Sequence, residues 1–257
     1  MEITAYPPGM PCWVDMGSPD MAASKNFYSQ LLGWDYEDAG PESGGYQLAT
    51  VRGKRVAGMG PQFQEGVPTV WTTYLAVADA DATARSVRDA GGRVFLEPMD
   101  VLDQGRMAVF ADPTGAVVAA WQPVRMPGSG LVNEPGAVCW NELDTRDPEG
   151  AKAFYGKVFG WSTSEVPMAE APYSMWHLGD VEQPIGGMMK MGKNWPAEVP
   201  PHWMVCFAVH DADTAVEIVR ELGGAVFYGP EDIGPGRFAV VADPHGAAFG
   251  VLKLRAP

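Results

Sequence analysis

The stretch WVDMGSPDMAASKNFYSQLLGW (13–34) returns as WNELDTRDPEGAKAFYGKVFGW (140–161). AVADADATARSVRDAGG (76–92) returns as AVHDADTAVEIVRELGG (208–224), and GRMAVFADPTGAVV (105–118) as GRFAVVADPHGAAF (236–249). The spacing between copies is the size of a domain, so the chain is a duplicated module and not a short-repeat solenoid. Its 257 residues divide into two units of roughly 120, each long enough to bury a core.

Both copies predict the same elements. A short strand (CWVDM or CWNEL) leads to a turn with Asp and Pro, which supplies helix N-cap chemistry. A helix follows, with Phe-Tyr and a later large apolar residue on one face and a terminal Gly. A Gly-rich hairpin region comes next, YQLATVRGKRVAGMG in one copy and YSMWHLGDVEQPIGGMMKM in the other. A strand, a second helix closed by Gly-Gly and three strand-like runs complete each copy. The order is βαβββ, twice per module. The modules are placed at 8–123 and 136–255, joined by a linker at 124–135 rich in Pro and Gly.

The net charge is −14 and no Lys/Arg cluster offers a basic face for phosphate neutralisation, so no nucleic-acid partner is expected. Anionic membranes are disfavoured for the same reason, and no apolar run approaches the ~20 residues that span a bilayer. MEITAYPPGM has neither the basic region nor the apolar core of a signal peptide, so the expected location is the cytoplasm. Cys12, Cys139 and Cys206 are too few and scattered for a disulfide framework and read as packing residues.

Phe27–Tyr28 with Leu32–Gly33–Trp34, Phe154–Tyr155 with Phe159–Gly160–Trp161, the Gly-Gly helix ends, and Ala-Asp-Pro-Thr-Gly (111–115) with Ala-Asp-Pro-His-Gly (242–246) form a set. This set resembles the vicinal oxygen chelate superfamily of glyoxalases, extradiol dioxygenases and bleomycin-resistance proteins, and more narrowly its actinobacterial two-module members. The resemblance covers nearly the whole chain. It implies an α+β fold of tandem βαβββ modules, forming two glyoxalase-like domains with curved mixed sheets around a cavity. Fold alone does not fix chemistry.

Catalytic members hold a divalent metal on the sheet floor through His, Gln and Glu. Counting from the motifs puts the equivalent positions at Trp13 and Trp140, near Thr72 and Met204, and at Ala119 and Gly250. None suits a divalent metal. The four histidines share no metal-binding spacing, and His202, Met204 and Cys206 alternate on one strand that cannot supply a facial triad alone. No metal and no cofactor are therefore expected.

Strand alternation puts Trp13 with Asp15, and Trp140 with Glu142, on one face. Either these pairs line a ligand cavity, or the Trp residues plug it and the acids cap backbone. Arg106 and Arg237, at matching places, are candidates to pair with the two acids. The remaining ligand-binding candidates are Phe63, Tyr74 and Met107 in the first module, and Tyr173, Met175, Met188, Trp195 and Met204 in the second. Met and aromatic side chains make adaptable apolar pockets.

Three functions stay open. The first is a metal-free binding protein for a flat aromatic secondary metabolite, such as an antibiotic or polyketide intermediate. An anthracycline-like polycycle with a basic sugar fits aromatic walls and acids. Such a protein acts in sequestration, self-protection or as accessory to a biosynthetic enzyme, its second expected partner. The second is an enzyme, either a glyoxalase-like lyase or one using Asp15 or Glu142 as base. The third is an interaction protein with a filled cavity. Two modules in one chain make a monomer adequate, with a homodimer as the alternative.

Overall fold

The structure is a computed structural model describing residues 1–62, 66–168, 172–193 and 195–255. The first module runs β1 (Pro11–Ser18), α1 (Met21–Leu32), β2 (Asp35–Asp38), β3 (Gln47–Val51), β4 (Lys54–Pro61), then β5 (Trp71–Ala76), α2 (Ala80–Asp89), β6 (Arg93–Val101), β7 (Gly105–Ala111) and β8 (Val117–Pro123). The second repeats it with β9 (Val138–Thr145), α3 (Pro148–Phe159), β10 (Trp161–Val166), β11 (Tyr173–Leu178), β12 (Gly186–Lys190), then β13 (His202–Ala208), α4 (Ala212–Glu221), β14 (Ala225–Ile233), β15 (Gly236–Ala242) and β16 (Ala248–Leu254).

Local chemistry sets these boundaries. Asp20, Asp79, Asp147 and Asp211 each cap a helix by accepting a backbone N–H from its first turn. Gly33 and Gly160 stop α1 and α3 in the left-handed region, at φ 71° and 72°. Each module forms one mixed eight-stranded sheet, ordered β2-β3-β4-β1-β5-β8-β7-β6 and β10-β11-β12-β9-β13-β16-β15-β14. β1 runs antiparallel to β5 and parallel to β4, and β9 stands likewise to β13 and β12.

The helices lie between the two sheets and cross the module boundary. Phe27, Tyr28 and Leu31 of α1 share a core with Val216 and Val219 of α4 and with Phe207 and Phe249 of the second sheet. Phe154 and Tyr155 of α3 share one with Val87 of α2 and Phe110 of the first sheet. Polar locks run through both cores. The Tyr28 hydroxyl donates to Asp243 Oδ2 at 3.2 Å and accepts from Trp71 Nε1 at 3.1 Å. Tyr155 donates to Asp112 at 3.2 Å and accepts from Trp203 at 2.8 Å. Near the centre Thr73 Oγ1 donates to Asn141 Oδ1 at 2.9 Å. Among the described residues the other face of each sheet carries no helix.

Cys12 and Cys206 are buried and Cys139 is half-buried, all as free thiols. Among the described residues no helix is long and apolar enough to cross a membrane.

Candidate functional site on the helix-free sheet faces

β1 and β9 cross the middle of their sheets, so alternate residues divide between the helical core and the helix-free face. Val14 and Met16 enter the helical core, while Trp13 joins Tyr74, Trp121 and Leu48 on the opposite face. Asp15 shares that face with Trp13. Trp13 Nε1 donates to the Tyr46 hydroxyl at 3.1 Å, and Tyr46 donates to Asp15 Oδ2 at 2.9 Å. Tyr74 donates to the same carboxylate oxygen at 2.9 Å. The second module repeats the relay: Trp140 Nε1 donates to Tyr173 at 2.8 Å, and Tyr173 donates to Glu142 Oε2.

Each relay tyrosine lies across a glycine of the neighbouring strand. A Cβ on Gly58 would sit 1.7 Å from the Tyr46 hydroxyl, and one on Gly187 would sit 1.8 Å from that of Tyr173. Any side chain there would expel the tyrosine. Burial pushes the Asp15 and Glu142 carboxyls up to about 6, opposed by the tyrosine hydrogen bonds.

The two faces differ in what surrounds the relay. In the first module Trp13, Tyr74 and Trp121 are only 5 %, 7 % and 6 % exposed, and Tyr6 and Met126 pack against them. Strand register puts Cys206 opposite Trp140, where Tyr74 stands opposite Trp13. It puts Leu252 beside Ala208, where Trp121 stands beside Ala76. Smaller side chains therefore replace two aromatic fillers. Trp140, Tyr173 and Met175 stay partly exposed.

The second module also adds an acid. Asp144 follows Glu142 on the same face, in register with His202 of β13. The matching residue on β1 is Gly17, also two residues past the relay acid. The Asp144 carboxylate is fully buried, and among the described residues neither oxygen has a hydrogen-bond partner. His202 Nε2 lies 3.5 Å from it, and the His202 ring packs on Trp195 with centroids 5.9 Å apart. Burial, then the nearby Glu142 charge, holds the Asp144 carboxyl well above its ordinary value. Burial lowers the His202 imidazole.

Register moves one of the three metal positions in each module by two residues, from Thr72 to Tyr74 and from Met204 to Cys206. The side chains grouped at the floor are Trp13, Tyr74 and Ala119, and Trp140, Cys206 and Gly250. Burial keeps the Cys206 thiol protonated, whereas metals take thiolate. Among the described residues no three His, Cys, Asp or Glu side chains are grouped to hold a metal. The residues do not fit a divalent metal at this place.

The family model for the Glyoxalase/Bleomycin resistance protein/Dioxygenase superfamily matches residues 13–120 and again 132–251. The chain belongs to this superfamily. Among its relatives in the superfamily, the anthracycline biosynthesis protein DnrV of Streptomyces peucetius is 42% identical, over 98% of this chain and 96% of that protein. CFP32 of Mycobacterium tuberculosis, which carries a provisional glyoxylase name, is 44% identical over 96% of both chains. In fold, the Mn(II)-bound glyoxalase from Novosphingobium aromaticivorans superposes with TM-score 0.65 at 17% identity, covering 96% of this chain and 82% of that one. The 2,3-dioxygenase LapB from Pseudomonas sp. KL28 gives 0.64 at 13%, covering 97% and 94%.

The helix-free faces gather most of the sequence candidates. Trp13, Asp15, Tyr74 and Met107 lie on the first. Trp140, Glu142, Tyr173, Met175 and Met204 lie on the second, with Trp195 against His202. Met188 does not: it pairs with Leu143 and Ser174, points to the helical side and is core. Phe63 lies outside the described residues. Arg106 and Arg237 do not reach the relay acids. They form ion pairs with Asp81 and Asp100, and with Asp213 and Asp232, which sit nearer on the adjoining helix and edge strand.

Tyr46, Asp144 and Trp121 escaped the sequence reading. A signal for Tyr46 exists: it opens its hairpin as Tyr173 opens the other, at the same spacing from the repeated Trp. Asp144 is visible only as a residue the other copy lacks.

A groove of about 250 Å³ lies elsewhere, between Pro8–Gly9, the start of α2 and Phe159. Its polar lining is Asp79, which caps α2, Thr83, whose hydroxyl donates to the Asp79 carbonyl, and Ser86.

Proposed function

We propose that the second module binds a flat aromatic secondary metabolite on its helix-free face, without a metal. One observation carries the reading. The Trp-Tyr-acid relay is kept in both modules, but Cys206 and Leu252 stand in the second where Tyr74 and Trp121 fill the first, and Trp140 and Met175 are partly exposed where Trp13 and Leu48 are buried. A preformed aromatic wall with few oriented polar groups is suited to a planar ligand. The indole N–H of Trp140 is held by Tyr173, which fixes the ring for stacking. The name of the Streptomyces relative supports an anthracycline-like polycycle as the ligand class. Such a protein sequesters the compound, protects its host from it, or presents it to a biosynthetic enzyme. The test is a tryptophan-quenching titration with polycyclic aromatic antibiotics and single-ring controls. Saturable, roughly one-to-one quenching by polycycles, unchanged by divalent metal, supports the reading; no saturable quenching sinks it.

A second reading rests on Glu142. A buried carboxyl raised to about 6 and held by Tyr173 has the makings of a general base. It predicts turnover of a bound ligand that Glu142→Gln abolishes while binding persists.

A further inference from the structure

We propose that the ligand carries an aliphatic amine, and that its ammonium group is received between Glu142 and Asp144; this rests on the aromatic-binding reading above. The argument is a comparison of the two copies. In the first module the relay acid has two donors: Asp15 Oδ2 accepts from both Tyr46 and Tyr74. In the second, Cys206 replaces the second tyrosine, so among the described residues Glu142 accepts only from Tyr173. The same module places Asp144 where the first has Gly17, and leaves both Asp144 oxygens without a partner. Each change adds unmet acceptor capacity at one spot.

A buried polar group without a hydrogen bond is costly, and a carboxylate more so. Among the described residues no hydrogen-bond donor offsets that cost at Asp144. No Lys or Arg forms an ion pair with either acid among the described residues. The neighbouring imidazole, at 3.5 Å, is too far for a good hydrogen bond. An ammonium group offers three donors and a positive charge to two acids. The aromatic surface lies immediately beside it, since Trp140, Glu142 and Asp144 succeed one another on β9. A ring system stacked on Trp140, with an amine on a substituent at its edge, spans that step. His202 lies against Asp144 with Trp195 packed on its ring, and His202 must turn aside for the amine to enter.

The test uses an anthracycline bearing a free amino sugar and its N-acetylated form, titrated by tryptophan quenching against wild type, Asp144→Asn and Asp144→Gly. The glycine variant copies the first module and guards against a folding defect in the other. The expected result is at least tenfold tighter binding of the amine form to wild type, with the preference lost in both variants. Equal binding of the two forms overturns the amine assignment and leaves the aromatic site standing. A preference that survives in the variants overturns the role of Asp144. Failure of both forms to bind overturns this inference and the aromatic-binding reading together.

Discussion

The Tyr28 hydroxyl of the first module donates to Asp243 of the second, and the other oxygen of that carboxylate holds the Asp-Pro-His-Gly turn by accepting from the His245 and Ala247 N–H groups. Tyr155 and Asp112 form the mirror lock, with Asp112 holding its own turn through Thr114, Gly115 and Ala116. The two sequence signatures, Phe-Tyr and Ala-Asp-Pro-x-Gly, are halves of one contact.

Tyr155→Phe removes a buried donor to a carboxylate and strands the Trp203 indole N–H. The expected cost is about 2–3 kcal/mol in denaturant unfolding. The modules should still unfold in a single transition, because each core contains residues of both.

Trp13→Ala and Trp140→Ala should part company. Trp13 is nearly fully buried, so its loss should cost about 3–5 kcal/mol of stability and leave ligand affinity unchanged. Trp140 is partly exposed. Its loss should cost less stability and abolish polycycle quenching. Calorimetry and titration of the pair check both halves of the statement.

Gly187→Ala places a methyl where the Tyr173 hydroxyl lies. The tyrosine must leave, which frees Trp140 and Glu142 from the relay. Ligand affinity should fall at least tenfold while the far-ultraviolet circular dichroism spectrum stays unchanged.

Glu142 gives a pH prediction whose sign follows from burial. Its folded-state carboxyl is raised from 4.5 to about 6, so the folded protein binds the proton more tightly than the unfolded chain. The stability this contributes is complete below pH 4.5 and is lost as pH rises through 6. Glu142→Gln keeps an acceptor for Tyr173 and removes the titration. The variant should therefore gain on wild type between pH 4 and 7, by about 1–2 kcal/mol. A constant difference across that range would remove burial as the cause.

The fold was legible because every signal occurs twice. Asp caps, terminal glycines and alternating strands recur at matching places, and each copy checks the other. The faces were legible on β1 and β9, where alternation is strict. Alternation failed to place Met188, because the Gly-Gly preceding it hides which side of β12 faces the helices. The arginines misled for a different reason. Sequence shows a charge at a matching place, but only the packed structure shows that Asp81 and Asp213 reach it first. For Asp144 the sequence shows a difference between the copies but not its burial, since an acid on a strand reads as exposed until its neighbours are known to cover it.

The crossed locks carry an evolutionary consequence. A single-module ancestor could form them only as a symmetric pair of identical chains, each tyrosine meeting its twin's aspartate. In that state any change to the floor appears in both copies at once. Fusion into one reading frame ended the constraint. One half could remain a filled scaffold while the other exchanged tyrosine for cysteine and glycine for aspartate, and the cost of an unsatisfied acid fell on one site only.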